Sequence, residues 1–187
     1  MGSSFGFKKF KGLCTYEETN CGRCKKEFLV KLLGFSFVYG LLSVNFIDLV
    51  LIGNTIPGYH LWLAFSYFSP FVPVLLISGL EDWELVAGLG FVASLMNDLF
   101  YHPVGIALLG NSVDLVKWYS FQFGFWGSTV WWNFNGGFFV IPVSSTLMAI
   151  SIFVRIGVVI ALLYKWWNFK RICKNQSKQG FMIKVKP

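Results

Sequence analysis

Polar positions in this chain gather at its two ends and at a few turns, and long apolar runs lie between them. A membrane-spanning helix needs about 20 consecutive, mostly apolar residues. Four runs reach that length. The first covers about residues 28–53 and stops at the turn "GNTIPG". The second, 59–80, is interrupted by Pro70 and Pro73 and closes at the acidic turn "EDWE". The third occupies 84–110. The fourth, 143–164, runs into "KWWNFKR", which carries the Trp and Lys/Arg of a membrane boundary. The expected fold class is therefore an all-α integral membrane protein, a four-span bundle forming one transmembrane domain over 28–164. A basic, Cys-containing segment (1–27) precedes it and a basic tail (165–187) follows.

Residues 111–142 fit none of these runs. Their centre, "KWYSFQFGFWGSTVWWNFNGGFF", is nearly half aromatic, with Gly, Ser, Asn and Gln interspersed. The expectation is an outer interfacial or re-entrant segment with its Trp and Phe at headgroup level. A fifth span and a partner-binding surface are the alternatives.

Composition and charge sharpen this picture. The chain is 55% hydrophobic and 13% charged, about half the charge of a soluble domain. Its net charge of +7 is segregated. Seven basic residues precede position 32 (Lys8, Lys9, Lys11, Arg23, Lys25, Lys26, Lys31), and seven follow position 164 (Lys165, Lys170, Arg171, Lys174, Lys178, Lys184, Lys186). Only Lys117 and Arg155 are left for the interior. Basic clusters flanking an apolar body predict both termini in the cytoplasm and an even number of spans. The implied partners are the lipid bilayer and other membrane protein subunits, and not nucleic acid. The long polar N-terminus has no signal-peptide core, and Gly6 stands where a myristoylation pattern needs Ser or Thr.

Within the spans a few polar residues stand out. "LMNDLFYHPVG" (95–105) places Asp98 and His102 four apart, on one helical face. Small residues at Ala87, Gly90 and Ser94 turn that face towards other helices, and span one has a similar series in Ser36, Gly40 and Ser43. Alternating span directions bring Asp48, His60, Asp98 and His102 to one outer level. Two carboxylates and two imidazoles there form a candidate Zn or Cu site. Bis-His haem ligation by His60 and His102 is the weaker cofactor option. The plain reading is two interfacial histidines and two aspartates bonded to neighbours such as Asn45 and Asn97. Pro103 disfavours helix at His102 and removes the bond to the Leu99 carbonyl. Arg155, about 15 Å into the fourth span, needs a carboxylate partner. Asp98 is nearest in depth and Glu84 is the alternative, so a pair with Arg155 competes with the metal set for Asp98.

On the other side, Cys14, Cys21 and Cys24 form C-x6-C-x2-C, and Cys173 lies in the basic tail. Four thiols in one reducing compartment form a candidate Cys₄ zinc site joining the two tails. Free structural thiols are the alternative.

No catalytic motif such as G-x-S-x-G, H-E-x-x-H or a P-loop is present. The leading expectation is thus a small non-catalytic subunit of a membrane complex with a polar or metal-binding site near the outer face. Two alternatives follow: a metal-dependent intramembrane enzyme using the Asp/His ligands, and a small-solute or ion transporter whose mobile element is the Pro-broken second span. The charge pattern yields a direct test. Reporter fusions at each terminus should both report the cytoplasm, and a C-terminal reporter on the opposite side would favour a fifth span through 118–141.

Overall fold

A computed structural model describes residues 21–52, 58–124 and 130–183. Helix α1 (Cys21–Val38) runs on into two π-helical segments, Tyr39–Val44 and Ile47–Ile52. Helices α2 (Tyr59–Phe68) and α3 (Val72–Ser78) are joined by a 3₁₀ turn at Ser69–Phe71 that contains Pro70. A second 3₁₀ turn, Leu80–Asp82, leads into α4 (Trp83–Leu109). The short α5 (Leu115–Gln122), the strands β1 (Val130–Asn135) and β2 (Val140–Ser144), and the long α6 (Ser145–Ile183) complete the order. Four helical stretches are long and apolar enough to cross a membrane: Lys26–Val50, Tyr59–Ile77, Trp83–Leu109 and Ser145–Asn168. They lie within a few residues of the four apolar runs. The fourth differs most, because α6 continues unbroken to Ile183. Lys, Arg and Trp change the polarity of the surface there without breaking the backbone hydrogen bonding.

Helix α4 is central and packs against α1, α2 and α6. At the end of the bundle where α4 begins, Phe71, Leu85, Leu89 and Trp166 form one buried cluster, with Leu32 and Leu163 against it. Polar groups tie the same end together. Trp166 Nε1 donates to Asp82 Oδ1 at 2.6 Å. Lys165 Nζ sits 3.2 Å from Glu84 Oε1 and 5.3 Å from the Trp83 ring centroid. At the opposite end, Leu95, Val143, Met148 and Ile152 form a second cluster, covered by Phe134. Large apolar side chains such as Trp62, Phe65, Leu76, Ile77 and Ile160 face outward, as lipid-covered helix surfaces require.

Span one touches α4 through small residues. Ser36 Oγ donates to the Leu89 carbonyl at 2.6 Å, and a Cβ added to Gly40 would stand 2.7 Å from Ala93 Cα. Only a residue without a side chain permits that approach. Ser43, the third member of the expected series, is exposed, and Val44 and Asn45 are buried instead. The reason is the π-helix, whose i→i+5 bonding widens the turn and rotates the face onward by about one residue.

The aromatic segment departs from the all-α expectation. It folds as α5 followed by an antiparallel hairpin, in register Trp132↔Val143, Phe134↔Ile141 and Asn135↔Val140. "VWWNFN" and "VIPVS" are dominated by β-branched and aromatic residues, which favour pleated structure. The Gly136-Gly137 pair supplies the turn, Gly137 at a φ of 82° that other residues adopt only with strain. A mean apolarity typical of a helix concealed strand chemistry.

The close approach at Gly40 makes a stability prediction. Gly40→Ala should destabilise the detergent-solubilised protein by about 1–3 kcal/mol, the usual range for overpacking, read as a lowered Tm. Gly34→Ala, whose new Cβ would meet nothing within 4 Å, should be neutral or stabilising.

Candidate functional site

The site begins with the arginine inside span four. Arg155 on α6 pairs through Nη2 with Asp98 Oδ2 on α4. Its Nη1 donates to Ser94 Oγ at 2.6 Å and its Nε to the Ser151 carbonyl at 3.1 Å. The two charged side chains are 15% and 21% exposed, so the attraction acts at low dielectric. The supporting residues follow from helical spacing: Ser94 lies four before Asp98, and Ser151 four before Arg155. Glu84, the other carboxylate considered for Arg155, pairs with Lys165.

One residue earlier on α4, Asn97 is a second junction. Its Nδ2 donates to Asn45 Oδ1 at 2.9 Å and to Asp48 Oδ2 at 3.2 Å, and its Oδ1 accepts from the Tyr67 hydroxyl at 2.7 Å. Asn45 in turn donates to the carbonyls of Gly40 and Leu41 at 3.1 and 3.0 Å, within the first π-helical segment. Spans one, two and three therefore meet on a single amide. π-Bulges recur at functional sites because they re-aim side chains. Here two such segments flank Asn45, and the second includes Asp48.

Pro103 neither ends α4 nor leaves its carbonyls unsatisfied. The helix passes through to Leu109, and α5 supplies a donor in place of the missing one. Tyr119 donates its hydroxyl to the Leu99 carbonyl, the one Pro103 cannot reach, at 2.7 Å, and Gln122 Nε2 donates to the Asp98 carbonyl at 2.8 Å. This docking sets Trp118 against His102, ring centroids 4.1 Å apart at 75°. His60, on the first turn of α2, stacks on Phe134 of the hairpin at 4.9 Å.

These elements enclose a cavity of about 630 Å³. Its polar side carries Asp48, Asn97, Asp98 and Arg155, with Ser94 and Ser151. Tyr59, Tyr67, Tyr101, Trp118 and Phe134 supply rings, and Leu63, Val143 and Met148 supply apolar wall. Asp48, His60, Asp98 and His102, which the sequence groups at one level, all line it. They do not gather around one point: among the described residues, no three His, Cys, Asp or Glu side chains are placed to hold a metal ion. The Asp98 carboxylate is turned to Arg155, and each imidazole has an aromatic neighbour. The side chains of Cys14, Cys21, Cys24 and Cys173, expected to bind zinc, lie outside the described residues.

Several lining residues went unread in the sequence. Tyr59, Leu63 and Tyr67 recur every four positions on α2, and Tyr101 lies four after Asn97; that spacing was the available signal. Fold and site define a class, a mostly helical protein with four membrane-length apolar helices around a largely apolar cavity that has one charged side. No family model matches the chain, and no curated protein or solved structure matches it.

The ion pair can be tested by a double-mutant cycle. Asp98→Asn leaves a buried guanidinium without its counter-charge and should cost about 3 kcal/mol or more, as breaking buried pairs does in soluble proteins. Adding Arg155→Leu should recover much of that loss. Equal and additive losses on thermal unfolding would show that the two side chains are not coupled.

Proposed function

We propose that this chain is a small-solute transport protein whose solute occupies the cavity between its four spans. The observation that carries this reading is a charged cavity bordered by two interrupted spans. Span one is π-helical beside Asn45 and Asp48, and span two breaks into a 3₁₀ turn at Ser69–Phe71. Interrupted helices are how transporters combine a polar site with backbone able to rearrange. The π-helical segment brings Asp48 to the cavity, whereas the 3₁₀ turn follows the cavity-lining Tyr67, with Phe71 in the cluster at the other end. The cavity's volume lies within the range of small-molecule sites.

Among the earlier alternatives, a metal-dependent enzyme draws less support, since the Asp98 carboxylate is occupied by Arg155. The complex-subunit reading draws on a different feature. Phe138 at the hairpin turn is fully exposed, and Phe139, Val140 and Ile141 beside it are exposed too, which suits a partner subunit or the headgroup region. A carrier within a larger complex satisfies both observations.

Ala64 lines the cavity from α2 and offers a test that needs no known solute. With Cys14, Cys21, Cys24 and Cys173 changed to Ser, Ala64→Cys in membrane vesicles should react with a membrane-impermeant thiosulfonate applied from either side. Reaction from one side alone would reduce the cavity to a binding pocket. A thiol inert from both sides would sink the proposal.

A further inference from the structure

We infer that the solute is an organic monocation with an apolar body, its charge seated on Asp48; this rests on the transport reading above. The cavity's fixed charges are three. Arg155 and Asp98 cancel each other in a direct pair, which leaves Asp48. That carboxylate accepts one hydrogen bond, from Asn97, and makes no ion pair among the described residues. Among the described residues no Lys lines the cavity, and the one Arg that does is committed. An unneutralised carboxylate inside a span is unfavourable, so the site is electrostatically incomplete until a cation arrives.

The walls indicate which cation. A bare metal ion needs several oxygen or nitrogen ligands at once, and no such group converges there among the described residues. An organic cation needs one counter-charge plus ring faces, which attract it most when water is excluded. Tyr59, Tyr67, Tyr101 and Trp118 line the cavity with rings, and Phe134 beside them is already stacked on His60 and Phe139. The Tyr59 hydroxyl adds a second pointer. The residue lines the cavity and is 3% exposed, and among the described residues its buried oxygen has no hydrogen-bond partner, a costly arrangement unless a bound group completes it. Leu63, Val143 and Met148 leave an apolar surface for the rest of the molecule. An anion would meet Asp48 and find the guanidinium already taken. The rival occupant is a proton on Asp48, which would neutralise the site without selecting any solute.

The thiol at Ala64→Cys distinguishes these cases in the full-length protein. Two reagents of similar size are compared, the cationic trimethylammonioethyl and the anionic sulfonatoethyl methanethiosulfonate, each normalised to its rate with a free thiol. The expected result is that the cation reacts about tenfold faster, the factor set by ~1.4 kcal/mol. Benzyltrimethylammonium should slow the labelling, whereas benzyl alcohol should not. Asp48→Asn should remove both the preference and the protection, and Asp48→Glu should retain them. Equal rates with no protection, the outcome that a proton on Asp48 would give, would overturn the inference while leaving an accessible cavity. A preference that survives Asp48→Asn would overturn the assignment of the anchor. If neither reagent reacts, the transport reading fails as well. The wild-type-side comparisons of rate and protection stand even if Asp48→Asn does not fold.

Discussion

Neutralising Arg155 is the constraint on which the rest of the bundle depends. A guanidinium within a span is expensive unless it is paired and its donors are satisfied, and every group that answers it lies on α4 or α6. Asp98 supplies the counter-charge, Ser94 accepts from a second nitrogen, and the Ser151 carbonyl accepts from Nε. Because Ser94 and Asp98 are one turn apart, as are Ser151 and Arg155, the pair fixes the relative depth and rotation of the two helices. Lipid exerts little hydrophobic force between helices, so a directional contact of this kind sets a register that apolar packing alone would leave loose.

Once α4 is held in that register, its irregularities have consequences for its neighbours. Pro103 removes the N–H that would reach the Leu99 carbonyl, and hydrocarbon offers no water in compensation. Tyr119 meets that need and Gln122 bonds the neighbouring Asp98 carbonyl, which brings α5 onto the bundle and Trp118 onto His102. On the opposite flank, Gly40 lets span one approach Ala93 closely. The π-helical turn that follows moves Asn45 and Asp48 to the face where Asn97 can reach them. The cavity is thus what remains between helices held apart by polar contacts. Its shape is set by the same groups that give it charge.

How much of this was legible in the sequence varies by residue. The spans were, because about 20 apolar residues between charged ends have few other uses. The competition between Arg155 and the metal set for Asp98 was also legible, since depth along a helix follows from residue number. Ser43 was misread because a π-helical turn has no signature in a small-residue pattern: the bonding changes while the side chains do not. The hairpin was hidden for another reason. "VWWNFN" is as apolar as a helix, and its β preference becomes decisive only with the Gly136-Gly137 turn and a partner strand. His60 and His102, which the sequence groups together, both line the cavity, but their ring neighbours, Phe134 and Trp118, come from the segment whose fold could not be read.

The two aspartates show why position in a network matters more than residue type. Asp98 and Asp48 are chemically identical and line the same cavity, yet they face different deficits. Asp98 answers a positive charge that span four cannot carry alone, so altering it removes a structural counter-charge. Among the described residues Asp48 receives one amide hydrogen bond, from Asn97, and no counter-charge. A single carboxylate would have had to satisfy the guanidinium and any arriving cation in turn, and each solute bound would then have unpaired the arginine. On the transport reading, two carboxylates divide the work: Asp98 keeps the helices in register, and Asp48 is left for an occupant. On that reading, the separation lets a binding site charge and discharge without unfastening the bundle that encloses it.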